Sequence, residues 1–378
     1  MLLTAEHQAI RDSVRRFARE KLAPSASLRD QAKAFPHDEL HELGAMGLLG
    51  MLVPAEYGGA GLDYLSMALV LEELGAGDGA VSTIVSVNNS VVCGPLLQFG
   101  SAAQRQQWLP ALAAGTQLGC FCLTEPQAGS DAASIKTRAT RTGNHYVLNG
   151  SKQFITTGNN ASLAIVFAVT DPAAGKNGIS AFLVPTSNAG FIVARVEDKL
   201  GQRCSDTAQI VLDNCRVPVS AMLGEAGDGY RIALANLESG RIGIAAQSVG
   251  MARAAYECAL RYSKERESFG KKIFEHQSVA FRLAEMATQI EAARQLVWHA
   301  AALKDAGEPA LKHASMAKLF ASEMAERVCS AALQTLGGYG YLSDFPVERI
   351  YRDVRVTQIY EGTSDIQKLV ISRALENE

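Results

Sequence analysis

Between residues 119 and 224 the chain changes texture. HYVLNG, SLAIVFAVT, GISAFLVP, FIVARV and TAQIVLDNCRVP are short β-branched runs split by Gly, Asn and Pro, the signature of an antiparallel sheet or barrel. The flanking segments, residues 1–118 and 225–378, are helical in pattern instead. Strands that are not interleaved with long helices disfavour a doubly wound parallel sheet. The order helical, β, helical therefore predicts an α+β chain of several domains, divided at 1–118, 119–224 and 225–378.

The helical segments carry their own punctuation. Leu3, Ile10, Val14, Phe17 and Leu22 fall near one helical face. Pro36 opens a helix that turns Leu40 and Leu43 to the core. Asp63 precedes DYLSMALVLEELG, which ends at Gly75, and Ser101 with Gln104 forms a capping box. Past residue 225, long helical patterns run from Tyr230 to Arg266, from Gln277 to Asp305 and from Pro309 to Thr335. Short breaks join them, as in an antiparallel bundle. Two shorter helices follow, around 346–357 and 364–377.

Several function classes find no support. With 36 basic and 39 acidic residues the net charge is -3, and nothing favours a nucleic-acid surface. The apolar stretches read as too short, and too often broken by Gly, to cross a bilayer. The N-terminus lacks the charged head and cleavage site of a signal peptide, so the expected compartment is the cytoplasm. Seven scattered cysteines predict reduced thiols, with Cys120 and Cys122 on one face of a strand. His37 and His41 share a helix face, but a zinc protease needs Glu after the first His and this chain has Asp38. A solvated face is the reading, and no metal site is expected. GGYGYL at 337–342 follows a helix, not a strand, so it is no dinucleotide fingerprint.

Four stretches can carry chemistry. In LTEPQAGSDAASIKT, Pro126 and Gly129 fix a turn, Thr124 and Ser130 offer hydroxyls, and backbone N–H groups near Gly129 can cradle an anion; an ordinary loop is the alternative. KQFITTG, Lys152 to Gly158, pairs an aromatic with hydroxyls, which suits a planar heterocycle, although core packing of Phe154 is the simpler reading. RESFGKKIFEHQ links two long helices; it is a solvated turn, or Arg266 reaches a phosphate. In IYEGTS, Thr363 or Ser364 can cap the last helix. Glu361 then feels two opposed effects: the helix end lowers its pKa and burial beside Tyr360 raises it. It is either a capping charge or a general base.

Together these stretches, with ESGRIGIAAQ, QTLGGYGY and RDVRVTQIYEGTSDIQ, resemble the acyl-CoA dehydrogenase family over essentially the whole chain. The resemblance implies an N-terminal helical domain, a middle β-barrel domain and a C-terminal four-helix bundle. It implies FAD between the last two domains, and a homotetramer built as a dimer of dimers. Phe121, Cys122, Leu123, Thr124, Gly129 and Ser130 would wrap the flavin, and Phe154, Ile155 and Thr156 would cover its other edge. Arg266, Phe269, Gln277, Gln334, Gly337 and Gly338 would grip the adenosine end of a neighbour's cofactor. Thr363, Ser364 and Asp365 would complete the cofactor site. Ser130, Glu238, Arg241, Tyr360 and Gly362 would face the substrate; relatives often have Asp where Glu238 stands.

By the same resemblance the reaction is α,β-dehydrogenation of a short-chain acyl-CoA, straight or branched, with electrons passed to an electron-transfer flavoprotein. The setting is fatty acid β-oxidation or branched-chain amino acid catabolism. Glu361 matches the base of the short- and medium-chain members. Isovaleryl- and long-chain-type members place it directly before the arginine that matches Arg241, where this chain has Gly240. A glutaryl-CoA type would need a cation, and the pocket-side stretch VSTIVSVNNSVVCGP has no Arg or Lys. The rival class is a non-catalytic flavoprotein subunit; retention of Glu361 argues against it.

Overall fold

A computed structural model describes residues 2–376 of the chain. The N-terminal segment is helical: α1 (Ala5–Phe17), α2 (Ala23–Ala32), α3 (His37–Ala45), α4 (Tyr64–Gly77), α5 (Gly79–Val87), α6 (Gly94–Phe99) and α7 (Ala102–Ala113). The expected caps are present. The Asp63 carboxylate accepts from Ser66 N at 2.7 Å, and Ser101 and Gln104 exchange both bonds of a capping box. Leu40 and Leu43 are buried, while His37 and His41 stand exposed on α3.

Helix α4 has little amphipathic character because it is buried nearly all round. Its two carboxylates are paired there. Glu73 meets Arg15 at 2.8 Å and Arg253 at 2.6 Å, and Glu72 meets Arg294 at 3.0 Å. Two π-helical stretches, Ala18–Leu22 and Asn88–Cys93, each squeeze an extra residue into the turn. Contrary to expectation, the 21-residue run Gly79–Phe99 is long and apolar enough to cross a bilayer, but 83% of its apolar window is packed inside the protein.

The middle segment holds β1 (Gly119–Cys122), β2 (Arg138–Thr142), β3 (His145–Thr156), β4 (Leu163–Val169), β5 (Ile179–Pro185), β6 (Phe191–Val196), β7 (Thr207–Pro218) and β8 (Met222–Leu223). The strand order is β6-β7-β3-β2-β4-β5-β8, with β1 beside β4. The sheet wraps one apolar core, to which β1 through β7 all contribute. The antiparallel expectation is corrected in two places. β1 enters from the helical segment and runs parallel to β4, and β2 meets β4 in one parallel pair, Arg138 with Val169. Both faces of β4 are buried: Leu163, Ile165 and Phe167 pack toward the helices, Ala164, Val166 and Ala168 into the wrapped core. Hence its unbroken apolar sequence. Cys120 and Cys122 do share a face, with sulfurs 3.7 Å apart, and all seven cysteines are buried and unpaired.

The C-terminal segment comprises α8 (Gly229–Glu265), a hairpin of β9 (Glu267–Ser268) and β10 (Lys271–Lys272), then α9 (Gln277–Asp305), α10 (Leu311–Leu336), α11 (Val347–Val354) and α12 (Ser364–Leu375). The expected last helix reached residue 377, which lies outside the described residues. Helices α8, α9 and α10 pack on one another and α12 lies along α10. The charged link RESFGKK is therefore a two-stranded hairpin. Phe269 and Gly270, both at positive φ (52° and 77°), form its tip, as a two-residue hairpin turn requires.

Candidate active site

A cavity of about 390 Å³ opens where the middle sheet, α8, α12 and the turn before α12 converge. The turn is IYEGTS. Glu361 has φ 54° and Gly362 φ 90°, a left-handed pair that costs energy at a residue with a side chain. Three hydrogen bonds hold it. Gln367 Nε2 donates to Glu361 O at 3.1 Å and to Gly362 O at 2.9 Å, and Lys318 Nζ donates to Gly362 O at 2.7 Å. Thr363 caps α12, its Oγ1 accepting from Ile366 N at 3.3 Å.

Thr363 thus supplies the cap of α12, and the Glu361 carboxylate takes no part in it. Its Oε2 is buried without a hydrogen-bond partner, and its remaining exposure is to the cavity it lines. Burial pushes its pKa up to about 7, against the opposing charges of Arg241 and Lys318. The expected restraint from the helix end is replaced by these two cations. Across from the carboxylate lies Gly240. A Cβ there would stand 2.6 Å from Glu361 Oε2, so the glycine supplies the space that the carboxylate uses. Arg241 lines the cavity and donates from Nη1 to Ser315 Oγ at 3.2 Å, while its buried Nε has no partner.

Tyr360 is held by its hydroxyl. Gln247 Nε2 donates to it, and Thr83 Oγ1 and Gln202 Nε2 each lie 3.3 Å away. Burial pushes the phenol up to about 12, so it stays neutral.

On the sheet side, Phe121, Leu123, Thr124, Gly129, Ser130, Phe154 and Thr156 all line the cavity. The simpler reading of Phe154 as a core residue is corrected. A register shift between Lys152 and Ile155 interrupts the β3–β7 pairing, and Phe154 takes φ 59° with 64% of its surface exposed. Bulges re-aim side chains in this way beside functional sites. The neighbours Ile155 and Cys122 point the other way, into the wrapped core. The loop after β1 is tied down from within: the Lys152 ammonium, fully buried, donates to Glu125 Oε1 at 2.8 Å and to Leu123 O at 3.1 Å. Glu125 also accepts from Lys136 N and Thr137 N.

Not every expected residue reaches the cavity. The Glu238 carboxylate is engaged by Lys304 Nζ at 2.6 Å and does not line the cavity. The Ser364 hydroxyl is buried and unpartnered, and Asp365 points to solvent. Arg266, Phe269, Gln277, Gln334, Gly337 and Gly338 are all exposed at the hairpin end of the bundle, apart from the cavity.

Lys318, Gln367, Thr83, Gln202 and Gln247 escaped the sequence reading. Lys318 alone left a signal there. It is the one charge in the core phase of a small-residue run, with Ala314, Ser315, Ala317, Ala321 and Ser322 buried around it.

Sequence profiles of the acyl-CoA dehydrogenase N-terminal, middle and C-terminal domains match residues 4–116, 120–215 and 227–376. The chain is 47% identical to the mitochondrial short-chain specific acyl-CoA dehydrogenase of Rattus norvegicus, over 98% of this chain and 90% of the relative. It superimposes on butyryl-CoA dehydrogenase from Megasphaera elsdenii with a TM-score of 0.97 at 43% identity, covering 100% of this chain and 99% of the other. A chain in the solved structure of the electron transferring flavoprotein of Acidaminococcus fermentans matches at TM-score 0.98 and 45% identity, with both chains covered in full. The three matched domains account for nearly the whole length, in the order in which the fold presents them, and the chain belongs to the acyl-CoA dehydrogenase family.

Proposed function

We propose that the protein catalyses FAD-dependent α,β-dehydrogenation of a short-chain acyl-CoA, straight or methyl-branched, to the trans-2-enoyl-CoA. Glu361 takes the α-proton, and the electrons pass to an electron-transfer flavoprotein. The observation that carries this reading is the Glu361 carboxylate: buried, without a hydrogen-bond partner, pushed up to about 7, and facing a cavity.

The residues present fit a flavin. Phe154 offers an aromatic face to the cavity, Thr124 and Thr156 offer hydroxyls beside it, and a Cβ at Gly129 would meet nothing within 4 Å. A planar ring needs such a combination of stacking surface, donors and open backbone. When bound, the flavin supplies the hydride acceptor, N5, for the β-hydrogen.

The chain's own residues do the rest. The thioester α-hydrogen is weakly acidic, so a base must sit against it in fixed geometry. The clamped 361–362 turn provides that fixity. The backbone N–H of Glu361 is the expected donor to the thioester oxygen, where negative charge develops. One C–H bond breaks to the Glu361 carboxylate as a proton, the other as a hydride, and the electron pair left at Cα forms the double bond.

Two observations support a short acyl group. The same cavity must house the flavin ring and the acyl chain, and Val87 and Val91, at the π-helical stretch, close one side of it. The names of the rat and Megasphaera relatives agree. The Acidaminococcus likeness supports the choice of electron acceptor. Phe269, 95% exposed, stands at the tip of the hairpin, and Arg266 lies 5.8 Å over the exposed ring of Tyr339; this open aromatic end supports the homotetramer.

The test is an anaerobic titration of the holoprotein with acyl-CoA esters of graded length. Butyryl-CoA or a short methyl-branched ester should give the highest specificity constant. Neighbouring lengths should also react, since a methylene is worth about 1–3 kcal/mol in such a pocket. Palmitoyl-CoA as the best substrate contradicts the chain-length reading, and no bleaching by any ester contradicts the activity.

A further inference from the structure

We infer that Lys318 is a positioning residue for the proposed base: from α10 it clamps the Glu361–Gly362 turn and, while protonated, turns a positive charge toward the Glu361 carboxylate. The inference rests on the reading of Glu361 as the base.

The geometry comes first. Lys318 is fully buried, surrounded on α10 by Ala314, Ser315, Ala317, Ala321 and Ser322. Its Nζ makes a 2.7 Å bond to Gly362 O, one residue from Glu361. Burying an ammonium is costly unless it is compensated. A neutral donor, Gln367, already serves both carbonyls of the turn. The hydrogen bond alone therefore does not account for a charge at this position. What the charge adds is stabilisation of an ionised Glu361, since an opposite charge nearby favours the charged form of a carboxyl.

The charged groups around Glu361 are few. Arg241 faces it from α8 and Lys318 from α10, and Arg373 of α12 lines the same cavity. Glu323 acts on Lys318 and Glu238 on Arg241 from farther out. The helix α5 and the sheet contribute Thr83, Thr124 and Ser130 to the cavity, none of them charged. Burial pushes Lys318 down to about 7, against the attraction of Glu361. Above that pH a neutral amine still donates to Gly362 O, so the clamp persists while the charge is lost.

Lys318→Met removes donor and charge at similar length. Gln367→Met removes only neutral donors. The direct readout on the holoprotein is the pH titration of the Glu361 carboxyl by difference infrared spectroscopy, its band identified by loss in Glu361→Gln. Lys318→Met should move the midpoint upward by about one unit or more, a tenfold or greater change in acidity. The pH profile of flavin reduction should move in the same direction. Gln367→Met should slow reduction and leave the midpoint in place. An unmoved midpoint in Lys318→Met overturns the inference. If that variant does not fold, Lys318→Gln, a neutral donor, carries the same titration and the same two outcomes. Failure of the base reading is seen separately, as flavin reduction that survives in Glu361→Gln, and it leaves the titration of the carboxyl meaningful.

Discussion

A glutamate at φ 54° is an uncommon residue, because a side chain in the left-handed region costs about 1–2 kcal/mol. Lys318 and Gln367 hold it there, and Gly240 gives its carboxylate room. That room makes a sharp prediction. Gly240→Ala should keep or raise the melting temperature, since Ala is about 1 kcal/mol better than Gly inside a helix. Yet its Cβ would lie 2.6 Å from Glu361 Oε2, so the carboxylate must shift. A displacement of about 1 Å can cost about 100-fold in rate. Anaerobic flavin reduction should fall at least tenfold while the protein stays folded; an unchanged rate would remove the steric argument. The pH dependence follows from the same residue. Burial raises the Glu361 pKa to about 7, so the ionised, active fraction falls as pH drops below that value. The second-order rate constant for reduction should decline about tenfold per pH unit there. A profile flat down to about pH 5, as for an ordinary glutamate, contradicts the assignment.

At the scale of elements, the strand β3 decides how the sheet serves the site. Its bulge turns Phe154 out, and its Lys152 reaches in to hold Glu125 and with it the loop that carries Thr124 and Ser130. Burial works to raise the Glu125 pKa; the Lys152 charge and the donors around it win and hold it at about 2. A carboxyl held down in this way stabilises the fold above its ordinary pKa, and that stability is lost as pH falls toward about 2. Lys152→Ala would leave Glu125 buried and unpaired, a loss of about 3–5 kcal/mol. Its melting temperature at neutral pH should fall clearly, and adding Glu125→Gln should recover part of the loss; an unchanged melting temperature refutes the clasp.

These elements also mark what a sequence displays. Asp63, Ser101 and Gln104 announce helix starts because caps are local chemistry. The five apolar strands announce themselves by β-branching. The strand β2, RATRT, does not, since it is mostly polar and exposed. The outward turn of Phe154 was hidden as well, because a bulge is a property of the pairing with β7 and not of KQFIT. Within the site, IYEGTS marked Glu361 as either a capping charge or a base, and the family resemblance, not the local sequence, chose the base. The place of Lys318 in the site was not legible, because it meets the turn 44 positions away. Gln247 and Tyr360 are likewise joined across 113 positions.

For the whole molecule, the first and third segments are bound to each other by buried charge as well as by apolar packing. The Glu72 and Glu73 carboxylates on α4 take arginines from α1, α8 and α9, and Asp305 of α9 accepts from Tyr64 N and Leu65 N at the start of α4. What this body leaves open is the hairpin end, with Phe269, Tyr341 and Phe281 exposed. Sedimentation equilibrium should show a tetramer, or at minimum a dimer; a monomer that still holds FAD contradicts the proposed sharing of the cofactor between subunits. The site itself draws on all three segments: Thr83 and Val87 from the first, Phe154 and Thr156 from the second, Arg241 and Glu361 from the third. In the proposed reaction these residues together bring one carboxylate against one C–H bond. The direct measurement is stopped-flow anaerobic reduction of wild type and Glu361→Gln by a short-chain acyl-CoA. The variant should hold FAD and assemble as wild type does, since Thr363 still caps α12. Its flavin reduction should fall about 100- to 10,000-fold or more. A variant within about tenfold of wild type, a barrier change of only about 1.4 kcal/mol, would show that the α-proton leaves by another route.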